Sequence, residues 1–141
     1  MKEIVGLTGT RNGLTQQQFV WLNLALLGVD ELHHGACIGA DEAAHNLAAP
    51  WTDMTIIIHP PEDERLMMDP SKWLVRGGIH VMSPKPYHDR NRDIVNETQR
   101  MLALPDGPER PKGGTWYTVR YAVEVGKPVT ICYPDGEVEE R

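Results

Sequence analysis

The sequence predicts an α/β fold: a three-layer, Rossmann-like domain with a mostly parallel, five-stranded sheet and helices on both faces. Two observations carry this. Five short apolar runs alternate with segments of helical periodicity, the pattern of strands joined by crossover helices. Three of the strand-to-helix junctions are rich in glycine, which marks tight turns at the carboxyl edge of such a sheet.

The first strand is Ile4-Val5-Gly6-Leu7, running into Thr8-Gly9-Thr10-Arg11. A helix follows, with Thr15 as N-cap and Gln18 completing a capping box. Phe19, Leu22 and Leu26 share one face of it and Val20, Leu24 and Leu27 widen that face, so this helix is expected to be well buried. Gly28 ends it. The second strand, Glu31 to His34, enters Gly35-Ala36-Cys37-Ile38-Gly39-Ala40-Asp41. A helix from about Asp41 carries Ala43, Ala44, Leu47 and Ala48 at core spacing. Met54 to Ile58 is the third strand.

The rhythm then breaks. Residues 59–87 hold several prolines, an adjacent glycine pair and mixed charges. They read as an irregular insertion, with a short strand near Ile79 to Met82, covering a site as a partial lid. A helix resumes near Asp89 with Ile94, Val95 and Thr98 facing inward. Met101 to Leu104 is the fourth strand and Pro105 to Pro108 a turn. Lys112-Gly113-Gly114-Thr115 opens the last helix, striped by Trp116, Val119 and Val123 and ended by Gly126. Val129 to Tyr133 is the fifth strand. The acidic Glu137, Glu139 and Glu140 read as a solvated end. The 141 residues are expected to form one domain, 1–141, with the 59–87 insertion inside it.

Composition narrows the function. The chain carries a formal net charge of −6, against the basic face usual for gripping nucleic acid through phosphates. No apolar run approaches membrane-spanning length, so no membrane partner and a cytoplasmic location are expected. The two cysteines, Cys37 and Cys132, form no CxxC pair. His33 and His34 are adjacent on a strand and so face opposite ways, which argues against their chelating together. His45 lies one helical turn after Asp41. These patterns call for neither a metal site nor a cofactor.

The glycine loops carry the site. Glycine lets backbone N–H groups approach an anion, and helix N-termini favour negative charge. Thr8, Gly9, Thr10 and Arg11 form the first candidate loop, Gly35, Gly39 and Asp41 the second, and Gly113, Gly114 and Thr115 the third. Arg90, Asn91 and Arg92 open a helix, where a cation opposes the macrodipole and suggests an external anion. The alternative is ion pairing with Asp89 or Asp93. Asp41 is read either as a helix cap or as an acceptor of ribose hydroxyls, and Tyr87 or Tyr117 as flanking a base. Trp116 is expected in the core.

In this order the motifs resemble the SLOG superfamily: Thr8-Gly9-Thr10-Arg11, Gly35-Ala36 with Gly39-Ala40-Asp41 and His45, Arg90-Asn91-Arg92 with Ile94-Val95, and Gly113-Gly114-Thr115 with Thr118 and Ala122. The likeness is nearest to the core of DNA-processing protein A (the Smf family) and more distant to the Lonely Guy phosphoribohydrolases. It implies binding of a nucleotide or nucleotide-derived phosphate ligand, as a sensor or sequestering module, and pairing as a homodimer. The phosphoribohydrolase signature PGGxGTxxE ends in a catalytic glutamate; aligning Gly114-Thr115 with its Gly-Thr puts Thr118 in that place, and a threonine supplies no carboxylate. Glu97 and Glu124 are the nearby carboxylates. The reading therefore leans away from an enzyme and assigns no catalytic residue. The alternatives are cleavage of a nucleoside N-glycosidic bond and, from the Smf likeness, single-stranded DNA binding in recombination.

Overall fold

The computed structural model describes residues 1–141. Its sheet has seven strands in the order β4-β3-β2-β1-β5-β6-β7. These are β1 (Ile4–Gly9), β2 (Glu31–His34), β3 (Thr55–Ile58), β4 (Ile79–Val81), β5 (Arg100–Leu104), β6 (Val129–Cys132) and β7 (Val138–Glu140). All neighbours run parallel except β6 and β7. The five expected strands are present, and the α/β class holds.

Two strands beyond these five bring the sheet to seven, the first of them the short strand expected near Ile79 to Met82. Within the insertion, Ile79–Val81 pairs with β3 and extends one edge. At the other edge the acidic end is not simply solvated. Val138–Glu140 folds back on β6, with Cys132 opposite Val138. Its carboxylates are taken up locally: Tyr133 donates to Glu139 at 2.6 Å and Thr130 to Glu140 at 2.8 Å. The Pro134-Asp135-Gly136 turn makes this hairpin, with Gly136 at φ 89°.

Four helices cover the sheet: α1 (Gln16–Ala25), α2 (Ala40–Ala48), α3 (Tyr87–Asn96) and α4 (Gly114–Glu124). Leu22 and Leu26 from α1 and its end, and Ala40, Ala44 and Ala48 from α2, pack on Val5, Leu7, Leu32, Ile56 and Ile58 of one sheet face. Ile94 and Val95 of α3 and Trp116, Val119 and Ala122 of α4 pack on Met101, Ala103, Val129 and Ile131 of the other. Strand order reverses between β1 and β5, so that gap is the topological switch point of the sheet.

The α1 capping box forms as expected: Gln18 N donates to Thr15 Oγ1 and Thr15 N to Gln18 Oε1, both at 3.2 Å. Gln18 is itself buried, its amide nitrogen donating to the Pro105 and Cys132 carbonyls at 2.7 and 2.9 Å. The expected burial of this helix is corrected, however. Within it only Gln18 and Leu22 are buried, while Phe19, Val20, Leu24 and Leu27 are exposed. Its apolar residues run around the cylinder, and one stripe is enough to cover the sheet. Val123 of α4 is exposed for the same reason, outside the Trp116–Val119 stripe.

The insertion is ordered by backbone contacts. Short 3-10 turns at Glu64–Leu66 and Pro70–Lys72 are each started by an aspartate, Asp63 and Asp69, that accepts from the amide two residues on. Ile38 N donates to Leu66 O and Met68 N to Ala36 O, which fastens this segment to the loop after β2.

Candidate functional site

The loops following β1, β2 and β5 converge at the switch point on a cleft of about 330 Å³. From the β1 loop, Thr8, Gly9, Thr10 and Arg11 line it. β1 carries its side chains directly to this edge, and Thr10 N closes the strand end on Leu104 O at 2.9 Å. The turn is then held by Asn12 N donating to Thr10 Oγ1 at 3.0 Å.

From the β2 loop come Gly35 and Asp41. Gly39 stands behind the cleft rather than in its wall. Its φ is 89°, and a Cβ there would sit 2.7 Å from Arg11 Cα and closer still to Thr10 O. Its role is to let the first two loops cross, with Ala40 N donating to Thr10 O at 2.9 Å. Asp41 lies in the first turn of α2 and does not cap it. Its Oδ2 reaches back to accept from Cys37 N at 3.2 Å, which braces the loop. Burial pushes the Asp41 carboxyl above the usual carboxylate range, against the pull of Arg90.

From the β5 side, Gly113, Gly114 and Thr115 line the cleft. Helix α4 begins there with no side-chain cap, so its first amides have neither a capping side chain nor an intrahelical acceptor. Asn91 completes this wall, its amide nitrogen beside Gly114.

The two arginines of the α3 motif have opposite fates. Arg90 is buried and lines the cleft. It donates to Gly35 O, to His59 O at 3.0 Å and, through Nε, to Asn91 Oδ1 at 2.8 Å. A Cβ at Gly35 would strike its guanidinium, so glycine there is what admits the arginine. Arg90 is thus a brace for the floor of the site rather than a free anion ligand. Arg92 lies outside the cleft and pairs with Asp89 and with the Tyr117 hydroxyl at 2.6 Å. The ion pair with Asp89, one of the two readings of this residue, is formed.

Arg11 is an exposed cation of the cleft, and unlike Arg110 it has no carboxylate partner. Its guanidinium lies 4.6 Å above the Tyr87 ring centre and makes no ion pair. Tyr87 is thereby a support for Arg11, and neither it nor Tyr117 lines the cleft. Trp116 is buried in the core as expected and also borders the cleft. The insertion contributes Leu66 to the wall.

Sequence reasoning missed the rim formed by Asn12, Asp106 and Arg110. Asp106 accepts from Asn12 Nδ2 at 3.1 Å and pairs with Arg110 at 2.7 Å, which holds its carboxyl below the usual range. The turn residues Pro105 to Pro108 were the only signal for it. Thr118, in the position of the phosphoribohydrolase glutamate, is buried and donates to Gly114 O at 2.7 Å, away from the cleft. Glu97 and Glu124 also lie outside the cleft, whose carboxylates are Asp41 and Asp106.

The histidines separate as expected from strand alternation. His34 pairs with His45 at 2.9 Å on one face and His33 with His59 at 2.8 Å on the other. A second cleft of about 310 Å³ opens beside His59, and Arg90 lines it too. Burial pulls His59 down to about 4.

No helix is long and apolar enough to cross a membrane. No protein-family model matches the chain, and no curated protein matches it in sequence. It is similar to the crystal structure of TM1055, a structural genomics target, with a TM-score of 0.64 and 18% identity, over 92% of this chain and 72% of that one. At that identity the likeness is one of fold, a Rossmann-like α/β architecture.

Proposed function

We propose that the switch-point cleft binds a nucleotide or a nucleotide-derived phosphate ligand, acting as a sensor or sequestering module. The observation that carries this is the convergence of three glycine-bearing loops on one cleft beside Arg11, a cation without a carboxylate partner. Uncapped α4 amides and Arg11 are suited to phosphate oxygens, because helix N-termini and unpaired guanidinium groups both favour anions. The Asp41 carboxylate and Thr10 hydroxyl are suited to sugar hydroxyls. A cleft of this volume is at the lower end of the range for small-molecule sites, which fits a mononucleotide better than a longer chain.

A second reading follows from Asp41. A buried carboxyl raised above its ordinary range, in a cleft, has the character of a general acid or base. That favours cleavage of a nucleoside N-glycosidic bond as the alternative, with Asp41 in the role that Thr118 cannot fill.

Native mass spectrometry of the purified chain, with and without a panel of nucleoside phosphates and ADP-ribose, tests both readings. Binding with ligand recovered intact after long incubation supports the sensor. Release of free base, lost in Asp41→Ala, supports the hydrolase. Failure of every panel member to bind overturns both.

A further inference from the structure

We propose that His33, His59 and Glu97 form a binding site for a divalent transition-metal ion of the zinc class, separate from the nucleotide cleft. Their ligand atoms all lie within 4.8 Å of one another. Sequence reading found no such group, because the three residues come from β2, the loop after β3 and the end of α3. Parallel pairing sets His33 opposite Ile57, which brings His59, two residues further along, over the same face.

The arrangement has an outer shell as well as ligands. Glu31 Oε1 accepts from His33 Nε2 at 2.7 Å. That bond keeps the proton on Nε2 and turns the Nδ1 lone pair towards His59. A carboxylate on the far nitrogen of a histidine is the usual support for a metal ligand. His33 Nδ1 and His59 Nε2 face each other at 2.8 Å. Two imidazoles on one tetrahedral zinc hold their nitrogens roughly 3.3 Å apart with their axes converging on the ion, so binding requires the rings to part and also to swing out of their present end-on contact. Without metal, His59 Nε2–H donates to His33 Nδ1. On binding, the cation takes the place of that proton, which passes through solvent to Nδ1 of the same neutral ring.

Charge and access agree. Glu31, Asp93 and Glu97 surround the histidines with carboxylates. Of the nearby cations, Lys85 is paired with Asp93 at 2.5 Å, while Arg90, held by backbone carbonyls, keeps its charge, which Glu31 and Glu97 must offset for an ion to bind. His59 and Glu97 border the second cleft, which leaves a position for water or an exchangeable ligand. Two nitrogen donors with one carboxylate select zinc-class ions over magnesium or calcium, which prefer all-oxygen shells.

The test is titration of the full chain with Zn²⁺, read by calorimetry and native mass spectrometry, and with Co²⁺, read by its visible absorption. The expected result is one ion per chain and an intense low-coordinate Co²⁺ band. Glu97→Gln changes an exposed side chain and should fold normally, yet weaken Zn²⁺ binding about tenfold or more and dim the Co²⁺ band. His59→Gln, checked for folding by circular dichroism, should abolish both. His80→Ala, on exposed β4, should change neither. No stoichiometric binding, an affinity unmoved by Glu97→Gln, or a loss caused by His80→Ala would each overturn the site.

Discussion

The two clefts share the Arg90 side chain but are built from different material. The switch-point cleft takes its wall from three loops that carry glycine, at Gly9, Gly35 and Gly113-Gly114, with Arg11 and Asp41 also lining it. The second cleft is mostly side chain: an imidazole, two carboxylates and a lysine. Backbone amides and helix N-termini suit anions, and imidazoles with carboxylates suit cations. One arginine lies between them, its charge spread over carbonyls from both loops, Gly35 and His59.

Removing that arginine should therefore have the largest effect. Arg90→Ala leaves the Gly35 and His59 carbonyls buried without their donor and opens a void between the clefts. A loss of about 3 kcal/mol is expected, read by denaturant unfolding, together with impaired nucleotide and zinc binding. Loss of one binding activity alone would show that the clefts are not braced together.

Gly39→Ala should act on one cleft only. A positive φ and the contact with Thr10 and Arg11 oppose any side chain there. The expected cost is about 2 kcal/mol with weakened nucleotide binding, while zinc affinity stays at the wild-type value.

How far these differences were legible in the sequence depends on what sets them. Glycine at strand ends is dictated by backbone geometry, so the three loops could be read directly. Strand alternation separated His33 from His34 for the same reason. The fates of Arg90 and Arg92 could not be read, because two residues on a helix point to different sides and nothing local says which side is floor. Helix α1 misled because continuous apolar character suggests burial all round, whereas its contact with the sheet needs Leu22 and Leu26. The His33–His59 pair and the Asp106 rim depend on long-range register, which leaves no periodic trace.

Asp41→Asn should sharpen the comparison through opposite signs. Burial raises the folded-state pKa of Asp41 above its unfolded value. The folded protein then binds the extra proton, so this group's contribution to stability falls as pH rises through that folded value. At pH 7 the asparagine variant should be the more stable, and the gap should close as pH falls towards the unfolded carboxyl range. Nucleotide affinity should fall about tenfold if the carboxylate takes a sugar hydroxyl. Paired denaturation curves at pH 7 and near pH 4, with one binding titration, check both signs.

Arg92→Ala should do least. Its partners are exposed or half-exposed, so stability should stay near the wild-type value and neither ligand should be affected. A large loss of nucleotide binding would return Arg92 to the site and redraw the cleft.

The most direct test of the proposed anion site at the switch point is a heteronuclear NMR titration of the full chain with adenosine monophosphate and ADP-ribose. The account predicts saturable amide shifts concentrated at Gly9 to Asn12, Gly35 to Asp41 and Gly113 to Trp116, with little change around His59 and Glu97. Absence of saturable shifts, or shifts centred elsewhere, would contradict it.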